Sequence, residues 1–138
     1  MATCDSSLDL APAVSTVLGT ALDMRPRPNP PEEPQDAAGF NDRGNRYSRN
    51  GAYDQALADY TRAIELDGNF AEAHFNRGVS HYELGLYQES IDDLTRAIDL
   101  SPTDDNYYGR RSLAYLFNDQ PDLAEADQDK CEELRNTG

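Results

Sequence analysis

His74 and His81 lie seven residues apart, with Asp92 and Asp93 further along the chain, and Glu132 stands beside Glu133 near the C-terminus. Histidines with nearby acids can hold a metal ion, and paired carboxylates can act as general acid and base. The spacing supports neither. Adjacent helical residues point about 100° apart, so Asp92-Asp93 and Glu132-Glu133 do not converge on one reacting atom and read as solvated faces. Cys4 and Cys131 sit at opposite ends of the chain, which is neither a disulfide framework nor a metal spacing. No glycine-rich loop suits a phosphate, and no serine or cysteine has a histidine placed to activate it. The chain therefore reads as non-enzymatic, with no cofactor and no metal.

Charge narrows the partners. The 138 residues carry 26 acidic and 12 basic side chains, a formal net charge of -14. The first 36 residues hold 6 of the acids and 2 of the bases, so both parts of the chain are acidic. Such a field repels nucleic-acid backbones and anionic lipid, so neither nucleic acid nor a membrane is expected as a partner. No apolar run approaches a membrane-spanning length. The first 24 residues lack a basic start and a continuous apolar stretch, and Asp5 and Asp9 break the pattern of an export signal. A cytoplasmic location is the expectation.

Three segments differ in composition. Within residues 1–24, Val14, Val17, Leu18, Ala21 and Leu22 recur at helical spacing, with Pro12 near the start of the pattern. Residues 25–36 form a proline-rich linker, whose core, RPRPNPPEEP, is half proline and cannot continue a helix. From residue 37 to 138 the pattern is helical throughout, punctuated by glycine and proline, with no alternating strand signal. TRAIEL at 61–66 returns as TRAIDL at 95–100, 34 residues later. Cut at that period, residues 37–70, 71–104 and 105–138 form three blocks, and the first two agree at eleven positions. A fixed period of this length signals stacked units that cannot bury their apolar faces alone.

The blocks resemble the tetratricopeptide repeat family. Aromatic or aromatic-like residues hold the fourth position (Phe40, His74, Tyr108) and the eleventh (Tyr47, His81, Tyr115). Small residues hold the eighth (Gly44, Gly78, Ser112) and twentieth (Ala56, Ser90, Ala124), and Ala63, Ala97 and Cys131 hold the twenty-seventh. Pro102 stands at the family's helix-ending place. The physics agrees, because antiparallel helices cross closely only over small side chains. The resemblance implies an all-α fold: an α-solenoid of three antiparallel helix-turn-helix repeats in a right-handed superhelix with a concave groove. An N-terminal helix on the proline-rich linker would precede it. In this register His74 and His81 become core aromatics, and Cys131 becomes a buried small hydrophobe. Gly51 and Gly85 fall at the turns within repeats, where glycine makes a positive φ cheap. Pro121 replaces the tyrosine at position 17 and suits a first helical residue, so the last helix is expected to begin there.

Positions 21, 24 and 28 of each second helix should face the next repeat. They read Leu57, Tyr60, Ile64, then Ile91, Leu94, Ile98, then Glu125, Gln128, Glu132. The polar third set is the mark of a terminal capping unit, and the array is expected to stop there. The first helices of the repeats should line the concave side with positions 2, 5, 6, 9, 12 and 13. That stripe holds Asn41, Asn45, Ser48 and Arg49, then Glu72, Phe75, Asn76, Val79, Tyr82 and Glu83, then Asn106, Arg110, Leu113, Leu116 and Phe117. Its apolar members suit a groove that buries a partner peptide or helix. Resemblance to chaperone adaptors implies a clamp for acidic C-terminal tails. Asn45, Asn76 and Arg110 match three of its five positions, whereas its two lysines are replaced by Asn41 and Asn106.

The expected function is therefore a protein-interaction scaffold that binds a peptide or helix of a partner protein in the groove. The alternative is a self-assembling or chaperone-like protein whose groove is filled through residues 13–24, its own N-terminal helix or a neighbour's. The ten-residue proline-rich core could span about 31 Å when extended. The secretion-chaperone branch of the family has the same layout of a helical arm and three repeats.

Overall fold

The computed structural model describes residues 32–138; the expected N-terminal helix, most of the linker, and self-association through residues 13–24 lie outside them. Among the described residues there are six helices and no strand: α1 (Ala37–Arg49), α2 (Tyr53–Leu66), α3 (Ala71–Glu83), α4 (Tyr87–Leu100), α5 (Asp105–Phe117) and α6 (Pro121–Thr137). None is long and apolar enough to cross a membrane. Each helix packs on the next in chain order, and α1, α3 and α5 lie side by side. The three pairs α1–α2, α3–α4 and α5–α6 coincide with the three sequence blocks.

Local chemistry sets the boundaries. Asp36, which sequence reading places in the linker, caps α1 by accepting the Gly39 N–H at 2.8 Å. Asp104 caps α5 in the same way through the Asn106 N–H at 3.0 Å. Gly51 and Gly85 close the turns between paired helices at φ 77° and 79°. The third turn uses Asp119 at φ 60°, a residue type that tolerates the left-handed region better than most. Pro121 occupies the first turn of α6, where its missing N–H leaves no bond unmade.

Small residues let the paired helices approach. A Cβ added at Gly44 would lie 2.6 Å from the Tyr60 ring, and one at Gly78 would lie 3.0 Å from Leu94 Cγ. Ala56, Ala63, Ala97 and Ser90 are wholly buried at the same crossings, and Cys131 is 1% exposed. Between pairs, Ile91 and Leu94 of α4 pack with Ala114 of α5, while Ala97 and Ile98 pack with Tyr107, Tyr108 and Cys131. Fully burying a side chain such as Leu94 contributes about 1.5–3 kcal/mol.

A polar device repeats with the fold. Arg43, Arg77 and Arg111 each grip an aspartate sixteen residues later through two guanidinium nitrogens, at 2.7–2.9 Å. Their partners Asp59, Asp93 and Asp127 are buried. Arg77 and Arg111 also reach back one repeat, donating to Thr61 at 3.2 Å and Thr95 at 3.1 Å. One planar fork thus fixes a helix pair and ties it to the pair before.

The two histidines occupy aromatic positions in the repeats. His74 is buried and donates from Nε2 to the Gly68 carbonyl at 3.0 Å. His81 Nε2 lies 3.4 Å from Asp93 Oδ2. Burial nonetheless holds the His81 pKa below the usual 6.5, outweighing the attraction of Asp93. Below its ordinary pKa the unfolded chain therefore binds more protons at this residue than the folded one does. Stability from His81 is present above 6.5 and is lost as pH falls through the lower folded value. We expect His81→Tyr, the residue type at Tyr47 and Tyr115, to flatten this part of the pH dependence. Thermal midpoints of wild type and variant, compared between about pH 7 and about pH 5, give the measurement; equal slopes would contradict the assignment.

Candidate functional site

The side formed by α1, α3 and α5 collects the polar residues that the repeat register singles out, but it treats them unequally. Asn41 is 2% exposed, and its Oδ1 accepts the Asn76 amide at 3.0 Å. It orients Asn76 and is too buried to meet a partner itself. Asn45 Oδ1 accepts the Tyr60 hydroxyl at 2.6 Å. Burial pushes that hydroxyl up to about 12, so it stays protonated and remains a donor. Asn45 is thereby held in place and is half-buried. Asn106 and Arg110 are exposed on α5, and Arg49 is exposed at the end of α1. Among the described residues neither Arg49 nor Arg110 takes part in an ion pair.

Two hollows adjoin these groups. One, of about 340 Å³, is lined by Glu72, Phe75, Asn76, Asp104, Asn106 and Tyr107. The other, of about 330 Å³, lies between α5 and α6 and is lined by Asn106, Gly109, Arg110, Leu113, Gln128, Cys131 and Arg135. Asn106 borders both. Gly109 lines the second hollow, at the repeat position that Phe75 holds in the preceding repeat. That ring stacks on Tyr107 at 4.8 Å and lines the first hollow.

The apolar members of the stripe divide in two. Phe75, Val79 and Tyr82 are half-buried, and Phe75 packs against the core between α3 and α5. Leu113, Leu116 and Phe117 are 40, 54 and 55% exposed. Phe117 is not a free ring, however. It lies 5.7 Å from Tyr82 and 5.6 Å from Tyr87, building an aromatic cluster across two repeats. Both sequence-selected histidines lie in the packing, and among the described residues no three His, Cys, Asp or Glu side chains are grouped to hold a metal.

Two features escape a sequence reading. Arg135 borders the second hollow from α6 and pairs with Asp105 at 2.8 Å. A reading confined to first helices passes over it, although a basic residue in so acidic a helix is a visible signal. The arginine–aspartate forks are the other, and the recurrence of Arg and Asp at one separation in every block is their signature.

Three helix pairs, crossing over small residues and presenting one face of first helices, define a helical-repeat solenoid. Comparison with known families agrees: a TPR repeat description matches residues 44–85, and a tetratricopeptide repeat description matches residues 71–104. Among solved structures, the second TPR of Spaghetti (RPAP3) bound to the HSP90 peptide SRMEEVD is 32% identical with a TM-score of 0.71; the match covers 72% of this chain and 93% of that one. The second TPR domain of human RPAP3, in complex with the HSP70 peptide SGPTIEEVD, is 30% identical with a TM-score of 0.71, over 74% of this chain and 85% of that one. The Arabidopsis OM64 TPR domain is 25% identical with a TM-score of 0.71, covering 74% and 84% respectively. Comparison with curated protein sequences returns no match. The chain belongs to the tetratricopeptide repeat family.

Proposed function

We propose that this chain is a non-catalytic protein-interaction adaptor that captures an extended, carboxylate-bearing peptide on the face of α1, α3 and α5. The observation that carries this reading is the pair of exposed arginines, Arg49 and Arg110, standing free of ion pairs among the described residues of a chain with net charge -14. Unpaired cations on an anionic protein are natural anchors for an acidic ligand, and Arg offers a planar fork that matches a carboxylate. Asn45 and Asn76, held by Tyr60 and Asn41, are pre-set to hydrogen-bond an extended backbone. Leu113 and Leu116 add exposed apolar area beside them. The similar RPAP3 domains bind peptides ending in EEVD, which supports a ligand of this chemistry.

Asn41 and Asn106 stand where the chaperone-adaptor pattern has lysines, so two of the three cations of a full clamp are missing. Calorimetric titration of the full chain with SRMEEVD tests the reading. Binding is expected, with Arg110→Ala weakening it at least about tenfold, in line with about 1.5–3 kcal/mol for a charged hydrogen bond. Asn106→Lys, which restores a cation, should tighten it. Absence of binding in both wild type and Asn106→Lys, or affinity indifferent to Arg110, would contradict the proposal.

A further inference from the structure

The two ends of the repeat stack carry opposite charge at positions that the stack itself shows to be partners. Between the second and third repeats, position 10 of the first helix seats on positions 21 and 24 of the preceding second helix, as Ala114 packs with Ile91 and Leu94. Ser80 and Ala114 hold position 10 of the second and third repeats and are wholly buried. In α1, which has no described repeat before it, the same position is Arg46, and it is exposed. In α6, positions 21 and 24 are Glu125 and Gln128, both exposed. A second pairing follows the forks. Position 7 of each later repeat reaches position 25 of the one before, as Arg77 reaches Thr61 and Arg111 reaches Thr95. At the two ends these positions are Arg43 and Asp129.

We infer that this chain associates head to tail with a second copy, α1 of one molecule seating on α6 of the next as α3 seats on α2 and α5 on α4. Arg46 would then face Glu125. The wider charge agrees: α1 carries three arginines and one aspartate, whereas α6 carries six acids against Lys130 and Arg135. Arg46, like Arg49, takes part in no ion pair among the described residues. Such an interface is heterologous and leaves a free end on each copy, so it extends with concentration instead of closing into a dimer. Charge dominates over apolar area at the junction, which makes the association weak and sensitive to salt.

Sedimentation velocity on the full chain tests this. Average mass should rise with protein concentration at low ionic strength and return to that of the monomer in high salt. Arg46→Glu and Glu125→Arg should each weaken the association at least about tenfold, since each opposes like charges. Both positions are exposed on helices, and far-ultraviolet circular dichroism checks that helicity is unchanged. Carrying both substitutions in one chain sets opposite charges against each other again, with their signs exchanged across the junction, and should restore association. A monomer at every concentration, association that survives either single reversal, or failure of the double reversal to restore it would each overturn the inference.

Discussion

Arg77→Ala is expected to destabilise the repeat array by about 3–5 kcal/mol, measured by urea denaturation, the range for removing one partner of a buried ion pair. The size follows from what is left behind. Asp93 has a side chain only 8% exposed and loses two short hydrogen bonds at once. Thr61 in the preceding repeat loses its donor in the same step. Arg77→Lys should recover only a part, because a single ammonium cannot reproduce two parallel bonds to the carboxylate and a third to the threonine. By contrast, Arg62→Ala breaks an exposed pair with Glu65 and should change stability by less than about 1 kcal/mol. Equal effects from the two substitutions would show that the forks are not what joins the helices.

Leu94→Ala should destabilise the array by about 2–5 kcal/mol. Leu94 is 1% exposed and serves two contacts at once: it fills the space over Gly78 within its own pair, and it packs against Ala114 of the next. Truncation therefore leaves a cavity where a pair closes and where two repeats couple. In a linear stack the loss of one such interface lowers the cooperativity of the whole. Thermal unfolding of the variant should broaden as well as shift downward. Leu123→Ala, at a site 45% exposed, is the control and should be near neutral. A Leu94→Ala cost no larger than that of Leu123→Ala would contradict the packing described.

Much of this fold is legible in the sequence because its determinants are local and periodic. The small residues at Gly44 and Ala63, the turn glycines Gly51 and Gly85, and Pro121 each act within one repeat, and each is readable from its place in the period. The change from Ile98 to Glu132 at one position is equally readable, and Glu132 is exposed. The binding face is less legible. Sequence position places Asn41 and Asn45 on one stripe, yet Asn41 is buried and bonded to Asn76 while Asn45 stays half-exposed and is held by Tyr60. Phe75 and Phe117 share an apolar label but differ in what covers them, the first stacked on Tyr107 and the second stacked on Tyr87 and edge-on to Tyr82. Such distinctions arise between repeats, where a period says which helix face is involved and not which neighbouring side chain arrives first. The forks from Arg77 to both Asp93 and Thr61 belong to the same category.

The central claim is that the face of α1, α3 and α5 captures an acidic peptide. Backbone-amide NMR during titration of the full chain with SRMEEVD tests it most directly. Progressive shifts are expected at Asn45, Arg49, Asn76, Asn106 and Arg110, and are expected to weaken in Arg110→Ala at the same peptide concentration. Shifts confined to the outer faces of α2 and α4, or none at saturating peptide, would contradict it.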